Sequence, residues 1–109
     1  MKKIVLSVLV AMLVGCAPAA KKESTLGTKL APIQTSLAAG DFTAAATGFD
    51  QFHDAWELVE DALRAKSPEA YRAIEDAMDD LKASIKRKDA AKAGERFKAL
   101  QELIQKNGL

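Results

Sequence analysis

The chain has no surplus of charge of either sign, since 16 lysines and arginines meet 15 aspartates and glutamates over 109 residues. That balance argues against nucleic acid as a partner, because gripping a phosphate backbone takes a concentrated basic excess. One cysteine and one histidine are present. The sequence contains no G-x-S-x-G, no H-E-x-x-H and no glycine-rich phosphate loop, so it points away from an enzyme. Its longest apolar run, Ile4 to Val14, is too short to cross a bilayer as a mature helix, which takes about 20 residues. A chain this short holds no more than one domain, with a modest core and little room for an elaborate active site.

The apolar run has another meaning. Met1-Lys2-Lys3, the run itself, Gly15 and then Cys16 follow the order of an export signal. Leu13-Val14-Gly15-Cys16 resembles the lipobox of bacterial lipoproteins, in which the cysteine becomes the lipid-modified, palmitate-bearing first residue of the mature chain. The resemblance implies a signal peptide over residues 1–15, a lipidated tether over 16–24 and a folded domain over 25–109. The alternative is an ordinary secretory signal with a chance cysteine. Loss of Lys2 and Lys3 with the signal leaves the mature chain near neutrality, and lipidation of Cys16 leaves no thiol for a disulfide or for catalysis. Ala17, not an aspartate, follows the cysteine, which by resemblance to Gram-negative sorting favours the outer membrane.

From Thr25 onward the apolar residues recur every three or four positions, the period of an amphipathic helix. Leu26, Leu30, Ile33 and Leu37 form one run. Phe42, Ala45, Phe49, Phe52, Trp56, Val59 and Leu63 form a second. Tyr71, Ile74, Met78, Leu81 and Ile85 make a third, and Ala90, Ala93, Phe97, Leu100 and Ile104 a fourth. No segment alternates as a strand does. Gly40-Asp41, Ser67-Pro68 and Asp89 are stop and start signals between the runs, and Asn107-Gly108 ends the last. The pattern predicts an all-α domain: a small antiparallel four-helix bundle of two helical hairpins. Pro32 removes a backbone donor, so the first helix is expected to be short or kinked there.

A shift of 48 residues carries Leu26, Leu30, Ile33 and Leu37 onto Ile74, Met78, Leu81 and Ile85. The same shift carries Asp41, Ala45, Phe49, Phe52 and Trp56 onto Asp89, Ala93, Phe97, Leu100 and Ile104. A seam that matches on both sides of a capped break suggests one helical hairpin used twice, although any two hairpins of this period align when slid into phase.

Beside the seam, one flank of the second and third runs is small (Gly48, Ala55, Ala62, Ala70, Ala77, Ser84), which allows two helices to approach closely. The other flank carries His53, Glu60, Glu75 and Lys82. Counting outward from the Lys66-Ser67 turn puts Trp56 level with Met78, Leu63 with Tyr71, His53 with Lys82, and Glu60 with Glu75. Two facing carboxylates repel, so a compensating group is expected. A metal ion or bound cation held by Glu60, Glu75 and His53 is one candidate. A shared proton and a salt bridge from Arg64 or Arg72 are others, and simple solvation of both glutamates is the plain alternative. Charge is also uneven along the chain. Residues 50–80 are strongly acidic and residues 82–106 are basic, which suggests complementary solvated faces or separate surfaces for a cation and for an acidic partner or lipid.

Ala38-Ala39-Gly40-Asp41, Trp56-Glu57-Leu58-Val59-Glu60, Lys66-Ser67-Pro68 and Tyr71-Arg72-Ala73-Ile74-Glu75-Asp76-Ala77-Met78 together resemble a helical extracytoplasmic module found with bacterial high-affinity iron permeases. More distantly the stretch is similar to imelysin-type iron-uptake lipoproteins. The resemblance covers roughly residues 33 to 88, its most specific part being W-x-x-V-E followed by Y-x-x-I-E. It makes Glu60 and Glu75 the motif acids and implies iron or another divalent or trivalent cation as ligand. It implies as partners an envelope protein, such as a metal permease, and the membrane through Cys16. The chain lacks the family's Arg-Glu-x-x-Glu translocation motif, and Trp56 stands where a His-x-x-Glu pair would need its acid. The resulting expectation is a lipid-anchored extracytoplasmic module in metal uptake, with a metal-independent envelope scaffold as the alternative.

Overall fold

The computed structural model describes residues 25–109, so the signal, the tether and Cys16 lie outside the described residues. Among the described residues the chain is all helical: α1 Thr25–Ala38, α2 Phe42–Glu57, α3 Glu60–Lys66, α4 Pro68–Lys86 and α5 Ala90–Lys106. α1 packs on α2 and α4 packs on α5, giving two hairpins. They are joined through α3 and held together by α1 against α5 and α2 against α4.

The apolar period explains which faces meet. Ile33, Phe52, Trp56, Ile74, Leu81 and Leu100 are fully enclosed, and Leu26, Leu30, Phe49, Met78, Phe97 and Ile104 nearly so. Leu37, Phe42, Val59 and Tyr71 are partly buried against this core. Ala90 departs from the expected seam and is exposed at the first position of α5. On the small flank Gly48, Ala55 and Ser84 are buried and Ala62 is exposed. Gly48 lies at a close approach: a Cβ there would sit 3.2 Å from Cγ1 of Ile33 on α1.

The two hairpin turns are copies of one another. Asp41 N–H donates to Ser36 O at 2.9 Å and Gly40 N–H to Leu37 O at 3.1 Å, while 48 residues on Asp89 N–H donates to Ser84 O and Lys88 N–H to Ile85 O, both at 3.0 Å. Both turns close the preceding helix in the manner of a Schellman motif, through a residue of positive φ: Gly40 at +72° and Lys88 at +58°. Each then opens the next helix with an aspartate cap, Asp41 Oδ1 accepting from Ala44 N–H at 3.0 Å and Asp89 Oδ1 from Lys92 N–H at 3.1 Å. The hydroxyls of Ser36 and Ser84 also match, donating to Pro32 O and Asp80 O at 2.9 Å each. The repeat written in the seam is thus present in the backbone hydrogen bonds.

One sequence expectation needs correction. Pro32 lies inside α1, the shortest of the four long helices, and does not begin it. Fully enclosed Ile33 anchors the helix immediately after the proline, so packing holds the turn that has lost a backbone donor. The break falls instead in the second run, where Leu58 and Val59 separate α2 from α3. There Leu58 N–H donates to Ala55 O at 3.1 Å and Val59 N–H to Trp56 O at 3.0 Å, three residues back instead of four. No glycine or proline marks this point. Glu60 and Asp61 follow in the first turn of α3, where acidic side chains complement a helix N-terminus.

Candidate functional site

The flank singled out by the level count divides into two groups in the folded chain. The first is on α2. His53 Nδ1 lies 3.7 Å from Glu57 Oε2, and the two side chains are about half exposed. Asp54 joins them, so that one ligand atom from each of His53, Asp54 and Glu57 lies within 4.8 Å of the others. A spacing of four residues puts histidine and glutamate on one helical face, and Asp54 sits a third of a turn around from His53. Among the described residues this is the set of three or more histidine and carboxylate side chains gathered so closely. It includes His53 and omits Glu60 and Glu75.

The second group lies under the α2–α3 break. Trp56 is fully buried, and its indole N–H donates to Glu75 Oε2 on α4 at 2.7 Å. The Trp56 ring stacks on Tyr71 with centroids 5.9 Å apart and planes inclined by 17°. Over the Tyr71 ring lies the Arg64 guanidinium, 5.0 Å from the centroid, which also donates to Asp61 Oδ1 at 2.8 Å. The sequence of contacts is therefore Asp61, Arg64, Tyr71, Trp56, Glu75, running from α3 across α4 to α2 and back to α4.

This arrangement supplies a donor for Glu75 that the level count missed. An indole N–H facing a half-buried carboxylate satisfies both groups, and a charged acceptor makes the bond stronger than a neutral one. Arg64 is engaged by Asp61 and Tyr71. Glu60 is half buried at the first position of α3. The level count treated residues 42–66 as one straight helix, and the break at Leu58-Val59 lets Trp56 reach residues nearer the Ser67 turn than that count gives. The signal for the stacking was present in the sequence as two large aromatics near one turn, but their angular relation depended on the break.

The chemistry open to the His53 group is ligation. An imidazole nitrogen with two carboxylates suits first-row divalent metals, at distances of about 2.0 to 2.2 Å for zinc. Convergence on one ion needs only side-chain rotation, because all three groups are exposed or nearly so. Beside them Leu58 projects into solvent at 83% exposure, the one large apolar side chain so placed among the described residues. None of the described helices is long and apolar enough to cross a membrane. No protein-family model, no curated protein and no solved structure matches this chain.

Proposed function

We propose that this protein is a lipid-anchored extracytoplasmic helical binding module of the cell envelope, acting as an accessory in metal uptake by holding a cation at His53, Asp54 and Glu57. The observation that carries the reading is the convergence of those three ligand atoms within 4.8 Å on one exposed helical face. The acidic character of residues 50–80 supports it, since the surrounding field concentrates cations at that face. The order of basic start, apolar run, Gly15 and Cys16 supports the anchoring. The W-x-x-V-E and Y-x-x-I-E resemblance suggests a metal-uptake setting but does not point to this site, since its acids are Glu60 and Glu75. In this reading Glu75 serves the fold through Trp56, and Glu60 adds negative potential from the start of α3.

Titration calorimetry with ferrous, ferric, cupric and zinc ions tests the cation site. Binding by the native chain that disappears in His53→Ala and Glu57→Gln is the expected result. Silence with all four ions would overturn it. Leu58 favours a second reading, a metal-independent scaffold, because an exposed leucine at a helix break offers an anchor to a partner protein. Anchoring is tested separately: Cys16→Ser should move the protein out of the membrane fraction with its helicity intact, and unchanged fractionation would exclude lipidation.

A further inference from the structure

The repeat provides an internal comparison between two grooves. One, of about 510 Å³, lies where the start of α2 meets the end of α4. The other, of about 310 Å³, lies where the end of α1 meets the start of α5. The 48-residue shift converts one lining into the other: Ala46 corresponds to Gly94, Phe49 to Phe97, and Ile85 to Leu37. Positions 48 residues apart thus build both, so the two linings can be compared residue by residue.

The divergence is chemical. The α2–α4 groove keeps an apolar floor of Phe42, Ala46, Phe49 and Ile85, and its rim carries Lys82, Lys86 and Lys88 against a single acid, Asp50. In the other groove Gln34 and Ala38 stand where Lys82 and Lys86 would be, Ala90 replaces Phe42 and Lys98 stands in the place of Asp50, so that groove is lined by one cation where the first has three cations and one acid. None of the three lysines has an ion-pair partner among the described residues. Lys88 adds an independent observation. It occupies the left-handed turn position, φ +58°, at which the first hairpin has Gly40. A side chain is disfavoured there, and a local rule is most often broken where a residue serves a site.

We propose that the α2–α4 groove binds a single-chain anionic amphiphile, its aliphatic chain on Phe42, Ala46, Phe49 and Ile85 and its acidic headgroup held by Lys82, Lys86 and Lys88. The volume falls within the range of small-molecule sites, which are mostly apolar with a few charged groups that fix orientation. A small inorganic anion would leave the apolar floor in water, and a neutral chain would make no use of a rim with three cations to one acid. A flat bilayer surface would use exposed basic residues outside the recess, Arg87 and Lys92 among them. The groove shares no residue with the His53 group, so it stands or falls independently of the cation reading.

Amide chemical-shift mapping on the full chain, titrated with decanoate, acetate and 1-decanol, tests the proposal. Decanoate should shift residues 42–50 and 82–88, and bind at least about tenfold more tightly than acetate or decanol, the equivalent of about 1.4 kcal/mol. Lys82→Gln with Lys86→Gln should weaken decanoate by about tenfold or more, with unchanged circular dichroism, since both side chains are exposed. Lys88→Gly should weaken decanoate while raising the thermal midpoint; a raised midpoint with unchanged affinity would overturn the three-lysine cradle. Equal response of the two grooves, or equal affinity for decanoate and decanol, would overturn the site. Vesicles of phosphatidylglycerol provide the remaining arm. If they bind and Arg87→Gln with Lys92→Gln weakens them as much as the groove lysine pair does, the face is an electrostatic membrane surface and the proposal fails.

Discussion

The indole N–H of Trp56 on α2 donates to Oε2 of Glu75 on α4 across 2.7 Å, with the Trp56 side chain fully enclosed. The bond ties the first hairpin to the second at the level where the helix breaks. It gives the Glu75 carboxylate a buried N–H donor that counting outward from the turn does not reveal.

Removing that acceptor should be costly. Glu75→Ala leaves the buried indole N–H unpaired and is expected to lose about 1 to 3 kcal/mol in urea denaturation. Trp56→Ala should lose about 3 to 5 kcal/mol through the cavity it leaves. In a double-mutant cycle with Trp56→Phe and Glu75→Ala the two losses should be less than additive by at least about 0.5 kcal/mol. Full additivity would show that the bond contributes nothing. Glutamine at both Glu60 and Glu75 should destabilise, since a neutral amide oxygen accepts more weakly than a carboxylate.

The two aspartate caps should behave alike. Asp41→Ala and Asp89→Ala each leave the same N-terminal amide without an acceptor, and each should cost about 1 kcal/mol by thermal or chemical denaturation. A difference of more than about 0.5 kcal/mol between them would mean that the hairpins, though alike in geometry, differ in their contribution to stability.

The buried Gly48 and the exposed Gly94 should respond differently to an added methyl group. At Gly94 an added Cβ meets nothing within 4 Å, so Gly94→Ala should gain about 1 kcal/mol from helix propensity alone. At Gly48 the same Cβ would sit 3.2 Å from Cγ1 of Ile33, so Gly48→Ala should gain less, the difference being taken up by displacement of Ile33. Equal gains at the two positions would show that α1 yields freely.

Lys88→Gly should raise stability by about 1 kcal/mol, because glycine adopts φ +58° without the side-chain clash that lysine meets. A loss of stability would mean that the lysine stem packs well enough to offset its backbone cost.

The helical period, the caps at Asp41, Ser67 and Asp89, and the core residues from Leu26 to Ile104 were legible in the sequence, because each depends on spacing and local chemistry alone. The 48-residue repeat was legible for the same reason, and the matched turns carry it into the backbone. Three features depended on the tertiary structure. Ile33 is packed so completely that α1 passes through Pro32, a long-range effect that local propensity does not contain. The break at Leu58-Val59 has no glycine or proline to announce it, and it decides that Trp56 meets Tyr71 and Glu75. The His53 group lies within α2 and follows from spacing alone, whereas the lysine-rimmed groove follows from packing: spacing along a helix assigns residues to a face, but which faces converge is set by how the two hairpins pack.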